Sequence, residues 1–188
     1  MFLDNYYYYF KKALTPEFCD KIIETGKSKI VEKAKILDEN LKARDSSIAW
    51  MEEDWLYQNI EPFIQEANKQ AGWNFDWIGS EKCQFTIYKE NQYYHWHQDS
   101  HNQMIDGNIR KLSVTVSLSD PKDYKGGELE FDLRDQDPDK KPNIHVCKQI
   151  LPKGSLVVFP SFVWHRVKPV TSGTRYSLVI WNLGRPFK

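Results

Sequence analysis

The sequence predicts a mainly β protein in which an antiparallel sandwich or barrel is braced by N-terminal helices. After residue 76 the chain consists of short apolar runs separated by turn sequences, with no helical pattern between them. Two helical patterns lie within the first 72 residues. The 7 Trp, 10 Tyr and 10 Phe suit a β-rich core or an aromatic-walled pocket. At 188 residues we expect one domain, with a helical support region at 1–75 and a β core at 76–188.

Charge and cysteine content exclude several classes of protein. Lys plus Arg number 26, as do Asp plus Glu, so neither nucleic acid nor an anionic membrane is an expected partner. The N-terminus has no basic region before an apolar run, and we expect no signal peptide and no membrane span. Three widely spaced cysteines indicate neither a disulfide framework nor a zinc ribbon. We therefore expect a reducing compartment, the cytoplasm.

The N-terminal elements can be assigned in order. The tyrosine run in "MFLDNYYYYF" is typical of a first strand, and the alternative is an exposed aromatic interaction site. In "TPEFCDKIIETG", Thr15 can cap a helix, Pro16 suits its first position and Gly26 can end it. The stretch "DWLYQNIEPFIQEANKQAG" predicts a second helix, which Pro62 would kink or restart.

The lysine-rich segment between the two helices, "KSKIVEKAKILDENLKARDSS", has no clean period. We interpret it as a mobile, solvated connection around short strands. A loop that covers the substrate is the alternative, which composition does not exclude.

The β region contains eight runs that predict strands, separated by turn sequences that include "DG", "PKG" and "TSG". In chain order the runs are "CQFTIY", "YYHWH", "KLSVTVSLS", "ELEFDL", "IHVCKQI", "SLVVF", "WHRVKPV" and "TRYSLVIW".

Within residues 88–101, "YKENQYYHWHQDSH", three histidines and an aspartate lie close together. Residues two apart in a strand share a face, so His97 and Asp99 can point at one metal ion. His95 and His101 would lie on the same face of a regular strand, so strand geometry alone does not decide which of the four residues bind the metal. The H-x-D pair is a weak motif by itself.

A second stretch, "VWHRVKPVTSGTRYSLVIW", supplies further candidates. A hairpin centred near Val170 would bring His165 and Arg175 side by side across a ladder. Two imidazoles and one carboxylate on one face form a facial triad that favours Fe(II) and leaves three positions open. An adjacent arginine offers a planar fork suited to a carboxylate.

These motifs together resemble the 2-oxoglutarate and Fe(II)-dependent dioxygenases, and among them the prolyl 4-hydroxylase type. The family's tyrosine, histidine and aspartate pattern is matched by Tyr88, Tyr94, His97 and Asp99, with Asn91 where the family has glycine. "RKLSVTVSLSD", the "GGE" of residues 126–128, and His165 followed by Arg175 also match, as do "LTPEFCDKII" and "RDSSIAW" near the N-terminus.

The resemblance implies a double-stranded β-helix, or jelly roll, and assigns the site residues. His97, Asp99 and His165 would bind Fe(II), while His95 and His101 do not match ligands. Arg175 would clamp the far carboxylate of 2-oxoglutarate with help from the Tyr88 hydroxyl. Ser117 stands where some relatives have a tyrosine that contacts this co-substrate.

The implied reaction hydroxylates an unactivated C–H bond with O2 and releases succinate and CO2, with ascorbate as a reductant. The family favours C4 of a prolyl residue in a protein or peptide, and free proline or another small amino acid is the alternative. Two other classes remain open at this point. A cupin-like metal protein would use His95 and His97, and an interaction domain would have no catalytic site.

The strand "RKLSVTVSLSD" alternates between apolar and polar residues, and its orientation can be predicted. A site that holds iron and a dianion needs polar walls, whereas the outer face of the sheet must cover the helices with hydrocarbon. We therefore expect Leu112, Val114, Val116 and Leu118 to pack on the helices, with Ser117 within reach of 2-oxoglutarate.

Overall fold

The structure is a computed structural model that describes residues 5–29, 32–34, 37–38, 41–100, 104–134 and 141–187. Within these residues, two α-helices accompany a large antiparallel β structure. The helices are α1 (Pro16–Ser28) and α2 (Asp54–Gln70), and a 3-10 turn spans Lys148–Ile150. The strands are β1 (Tyr8–Phe10), β2 (Glu32–Ala34), β3 (Leu37–Asp38), β4 (Leu41–Lys42), β5 (Arg44–Met51), β6 (Gly79–Ser80), β7 (Cys83–Tyr88), β8 (Tyr93–His97), β9 (Ile109–Ser117), β10 (Tyr124–Gly126), β11 (Leu129–Asp132), β12 (Ile144–Val146), β13 (Leu156–Pro160), β14 (Trp164–Val167), β15 (Val170–Gly173) and β16 (Arg175–Gly184).

The main strands follow one another in the order β1-β13-β9-β16-β7-β5-β8-β14-β11-β12. We call the part from β1 to β5 the major sheet and the part from β8 to β12 the minor sheet. Strand β5 joins the two, because residues 47–51 pair with β7 while residues 44 and 45 pair with β8. The result is a curled, jelly-roll-like antiparallel sheet, which confirms the predicted fold class.

The first 75 residues contribute strands to the sheet as well as two helices. Strand β1 pairs with β13 at the edge of the major sheet, as the tyrosine run suggested. Strand β5 falls at the end of the segment that was expected to be a mobile connection, yet it is eight residues long and central. Its alternate residues Arg44, Ser46 and Ile48 are buried, which stabilises it as part of the sheet.

Helix α1 begins as predicted but does not end at Gly26. The Thr15 hydroxyl accepts a hydrogen bond from the Phe18 backbone N–H at 3.2 Å, and Pro16 occupies the first turn. The helix continues to Ser28. A Cβ atom added at Gly26 would lie 2.4 Å from the Phe85 ring, so this glycine lets β7 approach the helix closely instead of ending it.

Helix α2 runs through Pro62 as one element and does not restart there. Its buried face carries Leu56, Ile60 and Ile64, which follow helical spacing. No helix in the described part of the chain has the length and apolar character required to cross a membrane.

The hydrophobic core lies between the two helices and the major sheet. It includes Leu112, Val114, Val116 and Leu118, which are completely buried beside residues of both helices. The predicted orientation of β9 is therefore confirmed. A second, smaller cluster fills one end of the space between the two sheets and includes Phe131, Val157 and Phe159.

Candidate metal centre and active-site cavity

Three of the predicted site residues meet between the sheets. His97 ends β8, Asp99 follows two residues later, and His165 lies on β14, directly opposite His97 in the register of the two strands. The candidate ligand atoms of the three side chains all lie within 4.8 Å of one another. The strand pairing therefore brings together two histidines that are 68 positions apart.

Both imidazoles are held with one nitrogen turned towards the carboxylate. His97 Nδ1 lies 2.7 Å from the His95 carbonyl oxygen, and His165 Nδ1 lies 3.0 Å from the Val163 carbonyl oxygen. The Nε2 atoms of both histidines lie 3.5 Å from the Asp99 carboxylate, one from each oxygen. Backbone acceptors at Nδ1 fix the Nε2 lone pairs for a metal ion, as is typical of histidine ligands. The cluster could hold a metal ion.

Asp99 is buried, with 4% of its surface exposed, and is ready to act as an anionic ligand. Burial opposes its ionisation, but the neighbouring His165 and a hydrogen bond from His97 hold the pKa of the carboxyl well below its usual range. Its backbone N–H donates to the Ser161 carbonyl at 2.9 Å, which fixes the loop after β8.

His165 is also suited to metal binding, because it stays neutral. Burial, with the charge of His97 as a second cause, lowers the pKa of His165 to about 4 from its ordinary 6.5. A neutral imidazole keeps the lone pair that a metal ion requires.

The other histidines lie elsewhere. His95 is exposed and is not part of the cluster, as the motif spacing implied. His101 lies outside the described residues. His145 Nδ1 and the Tyr7 hydroxyl share a hydrogen bond of 2.9 Å, and His145 is not part of the cluster.

Arg175 faces the cluster from the major sheet, but not by the route that the sequence suggested. Its strand, β16, pairs with β7 and β9, whereas the strand of His165 pairs with β8 and β11, so the expected hairpin ladder between the two residues is wrong. Residues 170–173 form β15, which pairs with β10 and carries the chain from one sheet to the other. His165 and Arg175 therefore line one cavity from opposite walls.

The neighbours of Arg175 match the predicted co-substrate set in part. Arg175 is 2% exposed, lies opposite Tyr88 in the strand register, and donates from Nη1 to the Ser177 hydroxyl at 3.3 Å. Ser117 is opposite Ser177 on the same face of the sheet. Of the two serines, it is Ser177 that lines the cavity.

The "GGE" turn has a steric role beside this arginine. Gly127 has φ +65°, and a Cβ atom there would lie 2.9 Å from Arg175 Cδ and from Val170 Cγ2. Glycine is needed both for the left-handed backbone and for the passage of the arginine stem.

The cavity between the sheets is partly open to solvent and has a volume of about 30 Å³. Its walls combine the three candidate metal ligands, two arginines and several apolar side chains. The lining residues are Arg44, Gln84, Tyr88, Tyr94, His97, Asp99, Thr115, Leu129, His165, Val167, Arg175, Ser177, Val179 and Trp181.

Sequence reasoning missed Arg44, Gln84 and Trp181 as cavity residues. Gln84 could have been found, because it alternates with Thr86 and Tyr88 along a strand whose last residue was already assigned to the site. Trp181 shares a face with Arg175 by the same rule. Arg44 begins the family-like stretch "RDSSIAW", but its strand was not recognised, so it was not assigned to the cavity.

Comparisons with known proteins agree with this geometry. Residues 83–182 match the family model of the 2OG-Fe(II) oxygenase superfamily. A PKHD-type hydroxylase of Acaryochloris marina is 39% identical over 97 residues, which is 52% of this chain and 39% of that protein. One from Hyphomonas neptunium is 44% identical over 70 residues, or 37% of this chain and 27% of the relative. The match thus spans well under half the length of these relatives.

Solved structures show a similar fold along nearly the whole chain. The viral collagen prolyl hydroxylase of Paramecium bursaria Chlorella virus-1, in its 2OG complex, superposes with a TM-score of 0.70 at 22% identity, covering 96% of this chain and 97% of that one. A prolyl-4-hydroxylase of Pseudomonas putida gives a TM-score of 0.71 at 22% identity, covering 97% and 95%.

Proposed function

Because the chain belongs to the 2OG-Fe(II) oxygenase superfamily, we propose that it is an Fe(II)- and 2-oxoglutarate-dependent dioxygenase that hydroxylates an unactivated C–H bond. The observation that carries this proposal is the convergence of His97, Asp99 and His165 on one point, opposite a buried arginine. The products are the hydroxylated substrate, succinate and CO2, and ascorbate serves as a reductant.

The donor set fits Fe(II). Two neutral imidazoles and one carboxylate are the ligands of the facial triad, and the burial of Asp99 and His165 keeps competing water away. His97, Asp99 and His165 would hold the ion. When bound, Fe(II) supplies the activation of O2 that the protein side chains themselves cannot provide.

The major sheet supplies the contacts for 2-oxoglutarate. Arg175 would clamp the far carboxylate as a bidentate donor, since its guanidinium is buried and its described partner is the neutral Ser177 hydroxyl. Tyr88 would add a hydrogen bond from its place opposite Arg175, and Ser117 would contribute to the polar wall beside it. Apolar residues such as Leu129 and Val167 would exclude water from the reacting centre.

For the substrate, we propose C4 of a prolyl residue in a protein or peptide. Support comes from the fold shared with proteins named collagen prolyl hydroxylase and prolyl-4-hydroxylase, and from the PKHD-type hydroxylases of similar sequence. Free proline or another small amino acid is the second candidate. We propose a cytoplasmic location, consistent with three buried free cysteines, and no nucleic acid or membrane partner.

The two remaining alternatives have less support. A cupin-like site would require His95, which is exposed and outside the cluster. A domain without catalysis would leave unexplained why a buried carboxylate, two oriented imidazoles and a buried arginine surround one cavity.

The proposal is tested by succinate formation on addition of iron, ascorbate and 2-oxoglutarate. We expect His97→Ala, Asp99→Ala and His165→Ala each to abolish turnover, because each removes one of three ligands. His95→Ala is the matched control and should keep both turnover and iron binding. Loss of iron in His95→Ala, with retention in Asp99→Ala, would refute the ligand assignment.

A further inference from the structure

Two buried arginines face the cavity, and neither has a carboxylate partner among the described residues. Arg44 is 7% exposed and Arg175 is 2% exposed, and both line the cavity. Three other arginines of the chain are paired with acids. These pairs are Arg110 with Glu81, Arg134 with Asp132 and Arg166 with Glu130, at 2.5 to 2.7 Å. The contrast indicates that the two cavity arginines are positioned for ligands.

The surroundings of Arg44 are polar but uncharged. Its Nε donates to the Ser46 hydroxyl at 2.8 Å, Nη1 to Gln84 Oε1 at 3.1 Å, and Nη2 to the Thr86 hydroxyl at 3.4 Å. The Tyr94 ring covers one face of the guanidinium, with its centroid 4.7 Å from Cζ. These contacts fix the orientation of Arg44 and use three of its five N–H groups. A buried cation held only by neutral groups retains a strong preference for an anion.

The charges of the cavity leave Arg44 in excess once the proposed ligands are present. Resting on the proposed function, the two positive charges of Fe(II) and the one of Arg175 balance the two negative charges of 2-oxoglutarate and the one of Asp99. The other lining residues are neutral when His97 and His165 coordinate metal. Arg44 then contributes one positive charge that no group in the described cavity neutralises.

The position of Arg44 shows where its anion would lie. The Tyr94 ring contacts both Arg44 and His97: its centroid lies 4.7 Å from Arg44 Cζ and 3.5 Å from the centroid of the His97 ring. An anion bound to Arg44 would therefore lie in the same cavity as the three candidate metal ligands. The molecule to be hydroxylated must also enter this cavity.

We propose that Arg44 binds a carboxylate of the substrate and so selects substrates with a negative charge close to the prolyl ring that is hydroxylated. Two kinds of substrate group would supply this carboxylate. One is the α-carboxylate of a terminal or free proline, and the other is an aspartate side chain beside proline in a peptide.

Two matched pairs of probes separate these sources. Acetyl-proline is compared with acetyl-prolinamide for the α-carboxylate, and acetyl-Asp-Pro-amide with acetyl-Asn-Pro-amide for the side chain. Each pair differs by one charge at nearly constant shape. KM is measured in the iron-loaded enzyme, and dissociation constants are measured by calorimetry on the protein loaded with Zn²⁺ and 2-oxoglutarate.

In the unmodified protein, we expect the acid of one pair to bind at least about 30-fold more tightly than its amide, as for a buried charge pair. Arg44→Gln should remove this preference, and Arg44→Lys should restore part of it. Gln84→Glu gives a second test, because it places a carboxylate within reach of Arg44 and should also abolish the preference. The 2-oxoglutarate requirement should be unchanged in Arg44→Gln.

Three results would overturn the assignment. The first is equal binding, or no binding, of acid and amide in both pairs. The second is a preference that survives in Arg44→Gln. The third is a raised 2-oxoglutarate requirement in that variant, which would make Arg44 a co-substrate residue. If the enzyme consumed no 2-oxoglutarate at all, the proposed function would fail, while calorimetry would still decide the role of Arg44.

Discussion

The ring of Tyr94 stacks on the imidazole of His97, with centroids 3.5 Å apart and planes inclined by 16°. This contact and the hydrogen bond from Nδ1 to the His95 carbonyl hold the imidazole in one orientation. Tyr94 therefore shares with the backbone the task of aiming Nε2 at the metal position.

Replacing Tyr94 tests this relationship. We expect Tyr94→Leu to weaken metal binding by roughly 10-fold or more, as for other groups that orient histidine ligands. Tyr94→Phe keeps the ring and should bind metal nearly as the unmodified protein does. Titration of the metal-free protein with Co²⁺, followed by its absorption spectrum, measures both. Equal affinities in the two variants would show that stacking plays no part.

Arg175→Ala should raise the 2-oxoglutarate requirement, because it removes a buried charge-assisted contact worth on the order of 2–5 kcal/mol. Metal binding should be largely unaffected, since Arg175 lies on the opposite wall of the cavity from the minor sheet. The measurement is succinate formation over a 2-oxoglutarate titration. An unaltered titration would rule out Arg175 as the clamp.

The stability of the metal-free protein should fall as the pH is lowered from 6.5 towards 4. Burial lowers the pKa of His165 to about 4 in the folded chain, while the unfolded chain binds this proton near pH 6.5. The unfolded state thus binds more protons within this window, and the free energy of unfolding falls by roughly 3 kcal/mol between pH 6.5 and pH 4. Urea unfolding in the presence of a chelator measures the effect. His165→Gln should give a shallower pH dependence, and an equal slope in both proteins would contradict the assignment.

Gly26→Ala should destabilise the protein although alanine is the better helix former. The added Cβ would lie 2.4 Å from two atoms of the Phe85 ring, which is completely buried. Overpacking of this kind costs about 1–3 kcal/mol, which exceeds the gain of about 1 kcal/mol in helix propensity. Thermal unfolding compares it with Glu24→Ala, an exposed control on the same helix. Higher stability of Gly26→Ala would contradict the packing argument.

Much of the β core could be predicted because local patterns are strong there. The bounds of β7 and β8 agree with the runs "CQFTIY" and "YYHWH". Asn91, between them, adopts φ +64°, as expected for a residue that replaces a turn glycine. The orientation of β9 followed from the need for a polar wall on one side and hydrocarbon on the other.

What could not be predicted depends on pairing between distant segments. Strand β5 begins within the end of the lysine-rich segment, and both β7 and β8 pair with it. Apart from residues 48–50, the sequence of β5 has little β character, so its pairing partners determine that it is a strand. The turn "TSG" indicated a hairpin, but its residues pair with β10 instead. Both errors concern strand pairing that depends on distant parts of the chain. Because β5 was not recognised, Arg44 was not assigned to the cavity.

The order of the strands also has a consequence for the speed of folding. Strand β13 lies between β1 and β9, and β5 lies between β7 and β8, so neighbours in the sheet are far apart in the chain. Such non-local pairing slows folding, to the range of milliseconds to seconds in β-rich domains. The cavity takes walls from β5, β8, β14 and β16, and it exists only after these pairings have formed. Iron and 2-oxoglutarate would therefore slow unfolding of the finished protein without accelerating the early steps of its folding.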